Sequence, residues 1–336
     1  MKLTLKRTAI SLALAGSFTL TGCNFIGDGD PVFVDPPVAE KFEVDGVAIK
    51  GELLNAIVRA FKVTEGANGE AVLTAITPDE GENVRTSTTD GTYTVTFSSG
   101  QVVAGDRIII EIEADDDTEM NCDATDCGTL NSNGKVAVSG LKLSTVADIS
   151  TSTASVSAPV NALTSIATEA VKKSAKADKA AISKAVYDLI GLSDAEQTDA
   201  GDVFSAKLAE ATSNKIDGAS GSTAAQTAVF KKLSALNSSL SKPETGKSVT
   251  ESITSFVSTV AAAATSTGTV VEKQQAVAAA TAKVKAAVAE VKKIVQDNLG
   301  GDDTIKTDFE EPKIENPDGT VITGTGTGTG SGSSNG

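Results

Sequence analysis

Six carboxylates crowd a short stretch around two cysteines: Asp115, Asp116, Asp117, Glu119, Asp123 and Asp126 flank Cys122 and Cys127. Ca²⁺ takes its oxygen ligands from loops of this kind, and a closed cysteine pair would pre-organise them. The stretch lacks a D-x-D-x-D-G register, so a solvated acidic loop is the competing reading. Zinc would need ligands beyond the two thiolates, and the chain has no histidine. The same lack excludes serine and cysteine hydrolases that rely on an imidazole base. Ser239-Leu240-Ser241-Lys242 fits the S-x-x-K pattern, in which a lysine serves an acylated serine. It lies at a predicted helix end before Pro243, with no convincing S-x-N or K-T-G partner, and a chain rich in Ser and Lys produces such matches by chance. Gly246-Lys247-Ser248 ends like a phosphate loop, but Ser241 stands where the first glycine belongs and Ser248 is explained as a helix cap. Catalytic residues are therefore expected to be none.

The start of the chain explains where those residues would work. Lys2, Lys6 and Arg7 precede an uncharged, mostly apolar stretch from Thr8 to Leu20, the layout of a secretory signal. The run Leu20-Thr21-Gly22-Cys23 resembles the lipobox of bacterial lipoproteins. The resemblance implies that residues 1–22 are cut away, that the Cys23 thiol receives diacylglycerol, and that the new amino terminus is acylated, with palmitate as the expected chain. By resemblance to enterobacterial lipoproteins, Asn24 in place of Asp implies the outer membrane, with the periplasmic and cell-surface faces both open. In an oxidising compartment Cys122 and Cys127 read as a disulfide closing a small loop. Residues 23–40 form an acidic Pro/Gly tether. No later apolar run approaches the length of a membrane helix, so membrane contact is expected through lipid alone. Lys+Arg 29 against Asp+Glu 44 gives a net charge of −15, more negative once the leader is lost. Such a balance disfavours nucleic acid as a partner.

Residues 41–147 read as strands. Tyr93, Val95 and Phe97 alternate with Thr92, Thr94 and Thr96, and Ile108, Ile110 and Ile112 repeat the pattern. Val44–Lys50, Ala56–Val63 and Ala71–Ile76 add further strands, and Asn133-Gly134 signals a turn before Lys135–Val138. Gly51-Glu52-Leu53-Leu54-Asn55-Ala56-Ile57-Val58, followed by Thr86 to Tyr93 with Asp90-Gly91, resembles the carboxypeptidase-regulatory-like, or transthyretin-like, β-sandwich. That resemblance implies an Ig/transthyretin-like fold, a tight turn at Asp90-Gly91 and Tyr93 on the core face. It implies no activity.

Residues 148–156 read as a linker, and residues 157–299 as an α-helical bundle. Stripes of Val160, Leu163, Ala167 and Val171, of Ile182, Val186, Leu189 and Ile190, and of Val229, Leu233, Leu236 and Leu240 each share a helical face. Ser193/Glu196, Ser248/Glu251 and Thr269/Glu272 are spaced as capping boxes. In the last helix Val270, Val277, Val284 and Val291 fall seven apart, a small-residue seam for packing in its own bundle or for a protein partner or second copy. Ala158-Pro159-Val160-Asn161-Ala162-Leu163-Thr164 resembles the V-N-P-L-T junction that follows β-domains in secreted marine-type bacterial lipoproteins. Residues 300–336 end in Thr-Gly repeats and read as a disordered tail.

The whole reads as an α+β, two-domain chain with a non-catalytic structural, adhesive or partner-binding role in the cell envelope. A lipoprotein that binds a glycan or small molecule is the alternative, and a carboxylate-dependent enzyme is the third reading. No cofactor is expected beyond a candidate weak Ca²⁺ site.

Overall fold

Alternation builds the first strands. In the computed structural model, which describes residues 41–49, 51–150, 155–205, 207, 221–298, 307–316 and 319–324, Tyr93, Val95 and Phe97 are buried while Thr92 and Thr94 face solvent. These residues lie in β5 (Thr92–Ser98), antiparallel to β1 (Lys41–Val47), which runs parallel to the short β10 (Val156–Ser157). A second, antiparallel sheet has the order β4-β3-β6-β9, with β3 at Ile57–Glu65, β4 at Ala71–Ile76, β6 at Arg107–Glu113 and β9 at Lys142–Asp148. Three short strands, β2 (Leu53–Leu54), β7 (Glu119–Met120) and β8 (Val136–Ala137), form a third small sheet beside them.

The Asp90-Gly91 turn takes the expected form. The Asp90 carboxylate accepts from the Thr92 amide and hydroxyl, and Gly91 sits at φ 67, close to the backbones of Ala48 and Leu53. A side chain there would be both strained and crowded. Tyr93 is buried and its hydroxyl donates to the Ala158 carbonyl. The strand after the turn is thereby tied to the segment that leads into the helices.

The four-stranded sheet is covered on more than one side. Leu143 to Ala147 of β9 are all buried, and so is Ile109 between Ile108 and Ile110. Consecutive burial in a strand means that both of its faces are packed. One cover is α1 (Ala162–Lys173), which packs along β9. Asn161 and Thr164 cap it reciprocally, and the Thr164 and Ser165 hydroxyls donate to the Ser144 carbonyl of β9. Ala162 to Thr168 are all buried, so α1 is a wedge between the sheet and the following helices.

Five more helices follow among the described residues: α2 (Lys179–Ile190), α3 (Asp194–Ala200), α4 (Ala224–Ser239), α5 (Val249–Ala264) and α6 (Val270–Asn298). Helices α3, α5 and α6 start at the caps read in the sequence, and Asp178 caps α2. Ser193/Glu196 and Ser248/Glu251 are capping boxes, and Thr269 and Glu272 bond reciprocally at the start of α6. Thr223/Gln226 adds a box at α4 that the sequence reading did not single out. Gly191 ends α2 in the left-handed conformation, φ 77 and ψ 35. Among the described residues no helix is long and apolar enough to cross a membrane.

The fold class is thus mixed α and β, strands first and helices after. All described residues fall within one compact unit, Ala39–Gly336; Met1–Val38, with the leader, Cys23 and most of the tether, lies outside the described residues. Side-chain contacts join the strands to the helices. Arg107 of β6 pairs with Asp148 at 2.7 Å and donates to the Ala175 and Ala177 carbonyls ahead of α2. Lys179 reaches the same Asp148 at 3.0 Å, and the Asn237 amide of α4 donates to the Ile49 carbonyl at 2.6 Å.

The expectation of a disordered tail over 300–336 is corrected in part. β11 (Lys313–Glu315) and β12 (Val321–Thr323) form an antiparallel hairpin, with the Asn316 amide bonded to Thr320 and the Gly319 amide bonded to Asn316. Ile322 is buried and β12 packs on α6; Glu310 pairs its amide with the Gly191 carbonyl, and Glu315 pairs with Lys184. Each short strand carries only one buried or half-buried isoleucine, too little for a period to be visible. Residues 325–336 lie outside the described residues.

Candidate functional site

The chemistry-bearing residues converge where the cysteine loop meets the helices. Cys122 and Cys127 are joined in a disulfide, and Cys127 is in the core. The loop they close carries Asp123 and Thr125 outward to α4 and α6. Asp123 accepts from the Ser241 hydroxyl just past α4, and Thr125 donates to Glu290 of α6. Glu290 is itself buried and also accepts from Lys242 at 2.8 Å. Burial pushes the Glu290 carboxyl up, but Lys242 and the Thr125 hydroxyl outweigh it and hold it below the usual range. A cleft of about 290 Å³ lies between the Ser239–Thr245 turn and α6, lined by Lys242, Glu244, Phe256, Lys283 and Glu290. Its charges are paired within the protein: Lys283 and Lys247 both bond Glu244, as Lys242 bonds Glu290.

The S-x-x-K residues sit at this junction but are not arranged as a nucleophile and base. The Ser239 hydroxyl is buried and donates to the Leu236 carbonyl at 2.6 Å. The ion pair with Glu290 raises Lys242 above its ordinary value, and an ammonium held protonated cannot take a proton from serine. Ser248 of Gly246-Lys247-Ser248 caps α5, as its position implied.

The acidic residues are dispersed rather than gathered. Asp115 faces Arg85 in a two-point pair, at 2.5 and 3.2 Å, and this bond holds its carboxyl at about 2. Asp116 accepts from Ser139 at 2.7 Å, and the Asp117 amide donates back to Asp115. Glu119 accepts from Asn131 and Asn133 and lies 3.9 Å from Lys135. Asp126 accepts from the Gly128 amide. Among the described residues no three His, Cys, Asp or Glu side chains come together as a metal site. The carboxylates are close in sequence, but Asp115, Asp116, Glu119, Asp123 and Asp126 each accept from a different group, so the calcium reading is not carried forward.

The valine seam of α6 divides. Val277, Val284 and Val291 are buried, with Ala280, Ala287 and Ile294 beside them, while α6 packs along α4 and α5. These three valines belong to the core of this chain, which corrects their assignment as a partner-binding surface. Val270, at the first turn, is 58% exposed.

Sequence reasoning missed Lys232. It is 1% exposed, inside α4, and bonds Glu196 of α3 at 2.8 Å and the Asp308 carbonyl at 2.5 Å, with the Phe309 ring 4.2 Å from its ammonium. Burial lowers the Lys232 pKa while Glu196 pulls it back. For Glu196, burial raises the pKa, and Lys232 and the Ser193 cap bring it below the usual range. The available signal was weak: Lys232 sits next to Leu233 in the α4 stripe, and a lysine there reads as solvated. The chain matches no protein-family model, no curated protein and no solved structure.

Proposed function

We propose that this chain is a non-catalytic lipoprotein of the cell envelope, held in the outer membrane by lipid on Cys23, with a structural, adhesive or partner-binding role. In this reading the strands are a transthyretin-like module and the helices a second domain docked on it. Support for the module comes from the Gly91 turn and the buried Tyr93 that follows it. The observation that carries the functional reading is the use of the candidate reactive groups as braces. Ser241, Lys242, Asp123 and Glu290 are engaged with one another or with neighbouring side chains across the strand–helix junction. Groups held in fixed pairs stiffen a scaffold across this junction.

The test has two arms. With Cys23→Ala, the protein should leave the membrane fraction and lose metabolic labelling by palmitate; a variant that partitions like the native protein overturns the anchor. A fluorescent β-lactam should leave the native protein unlabelled. Labelling that disappears in Ser239→Ala would overturn the non-catalytic reading.

A second reading, a lipoprotein that binds a small polar ligand, is favoured by one feature. A cleft of about 590 Å³ beside α2 and α3 is lined by Lys179, Ser183, Tyr187, Gln197 and Asp202. The Tyr187 hydroxyl next to it is buried with no hydrogen-bond partner among the described residues. A buried hydroxyl left unpaired is costly, and a ligand or water could satisfy it. Under this reading a soluble oligosaccharide panel should raise the melting temperature of the native protein and not of Tyr187→Phe.

A further inference from the structure

The cysteine loop is the only covalently closed loop among the described residues, and its Asp123 and Thr125 side chains reach the turn just past α4 and helix α6. It also forms one wall of a cleft of about 460 Å³, in which Cys127, Gly128 and Leu130 face Pro243 and Lys247–Val249 of the α4–α5 turn. A β-carbon added at Gly128 would lie 3.2 Å from the Pro243 ring, so loop and turn are in close approach. No strand pairing holds the loop: Asn121 to Gly128 carry no regular structure between β7 and β8. Cys127 in the core and the Asn121 side-chain amide bonded to Glu52 hold its strand side, while the Asp123 and Thr125 side chains reach the helical side across the disulfide-closed loop.

We propose that the Cys122–Cys127 disulfide is a dithiol-sensitive clasp that fastens the strand region to the helical region. Cys122 is the less buried cysteine and is the point of attack. A thiolate of a protein or small-molecule dithiol bonds to the Cys122 sulfur, and the Cys127 sulfur leaves as a thiolate that takes a proton. The second thiol of the reductant then displaces the Cys122 sulfur. Two electrons and two protons pass to the protein, the cysteines become thiols, and the reductant becomes a disulfide. Opening the loop restores chain entropy that the bond had removed. Asp123 and Thr125 then have to be held by an open chain, at the full cost of ordering it. Their grips on Ser241 and Glu290 loosen, and the cleft between loop and α4–α5 turn opens. Lys242 remains to satisfy Glu290, so the open state leaves no bare buried charge.

The experiment is hydrogen exchange on the full chain, with and without a dithiol reductant. Reduction should remove protection from the Gly128 amide of the loop and, with it, from 239–246 and from α6 around Glu290, while β3 and β6 stay protected. Loss confined to the loop would overturn the clasp. So would global unfolding on reduction, because the bond would then support the whole fold rather than one junction. A second variant keeps the bond and removes the grips: Asp123→Ala with Thr125→Val, left oxidised, should reproduce the deprotection of 239–246 and α6. If that variant exchanges like the native protein on the helical side, the clasp is wrong. The inference does not depend on lipidation of Cys23, so failure of the anchor test leaves it standing.

Discussion

The strand and helical regions bury different things. In β1 and β5 burial follows the pleat, with Val44, Val95 and Phe97 fully buried; β6 and β9 are packed on both faces, and their buried side chains are apolar except Ser144 and Thr145. In the helices, polar groups go in with the apolar ones. Lys232, Asp188, Glu290, Asn237, Ser234, Ser238 and Ser241 are buried alongside Leu233, Leu236 and Val291. The difference follows from what each element meets. A strand has two faces, and β5 can give one to the core and one to water. From Lys232 to Ser239 helix α4 is enclosed by α3, α6, the Asp308–Phe309 segment and the loop at Ile49, so its polar groups there have no solvent to face. Both regions gain from apolar area removed from water, and the helical region also buries charged groups that must be paired there.

Three measurements would break or sharpen this contrast. The largest effects are expected from removal of one partner on either side. Phe97→Ala should cost about 3–5 kcal/mol in urea unfolding, the range for emptying a buried aromatic site. Glu196→Gln keeps a side chain able to complete the α3 cap but leaves the Lys232 ammonium without its counter-charge, and should cost about 3–5 kcal/mol as well. The two sites then diverge. Adding Lys232→Met to Glu196→Gln should recover most of the loss, because the uncompensated charge is gone. No comparable second change is expected to rescue Phe97→Ala. If the double variant is no more stable than Glu196→Gln alone, pairing is not what holds α4 in place.

The smallest effect concerns pH. The Asp115 carboxyl is held at about 2 by Arg85, against about 3.9 in an unfolded chain. A depressed folded value means that its contribution is full above the unfolded value and is lost as pH falls toward the folded one. The native melting temperature should therefore drop between about pH 4 and pH 2 by more than that of Asp115→Asn. Equal slopes for the two proteins would show that the Arg85 pair does not act in solution.

Periodicity and capping were legible because they are local. The Tyr93-Val95-Phe97 alternation, the Asp90-Gly91 turn and the boxes at Ser193, Ser248 and Thr269 each act within a few residues of chain, and each appears where the sequence places it. The junction was not legible. Ser241 meets Asp123 across most of the strand-to-helix distance in sequence, and Thr125 meets Glu290 from farther still. S-x-x-K and the acidic run were conspicuous as strings, yet Lys242, Asp115, Asp116 and Asp123 find their partners in other elements. Lys232 was invisible for the same reason, since the carbonyl and ring that enclose it come from residues 308 and 309.

By itself, then, the sequence determined the local conformations: which stretches alternate, which repeat with the helical period, where helices start, and that two cysteines five residues apart can close a loop. Those choices depend on backbone sterics and on hydrogen bonds between near neighbours. Tertiary structure alone decided that Val277, Val284 and Val291 face inward, that the carboxylates near Cys122 scatter to separate partners, and that a lysine inside α4 is enclosed. Such outcomes depend on which surfaces meet, and burial assigns a polar group its role only when a partner from a distant part of the chain is placed within hydrogen-bonding reach.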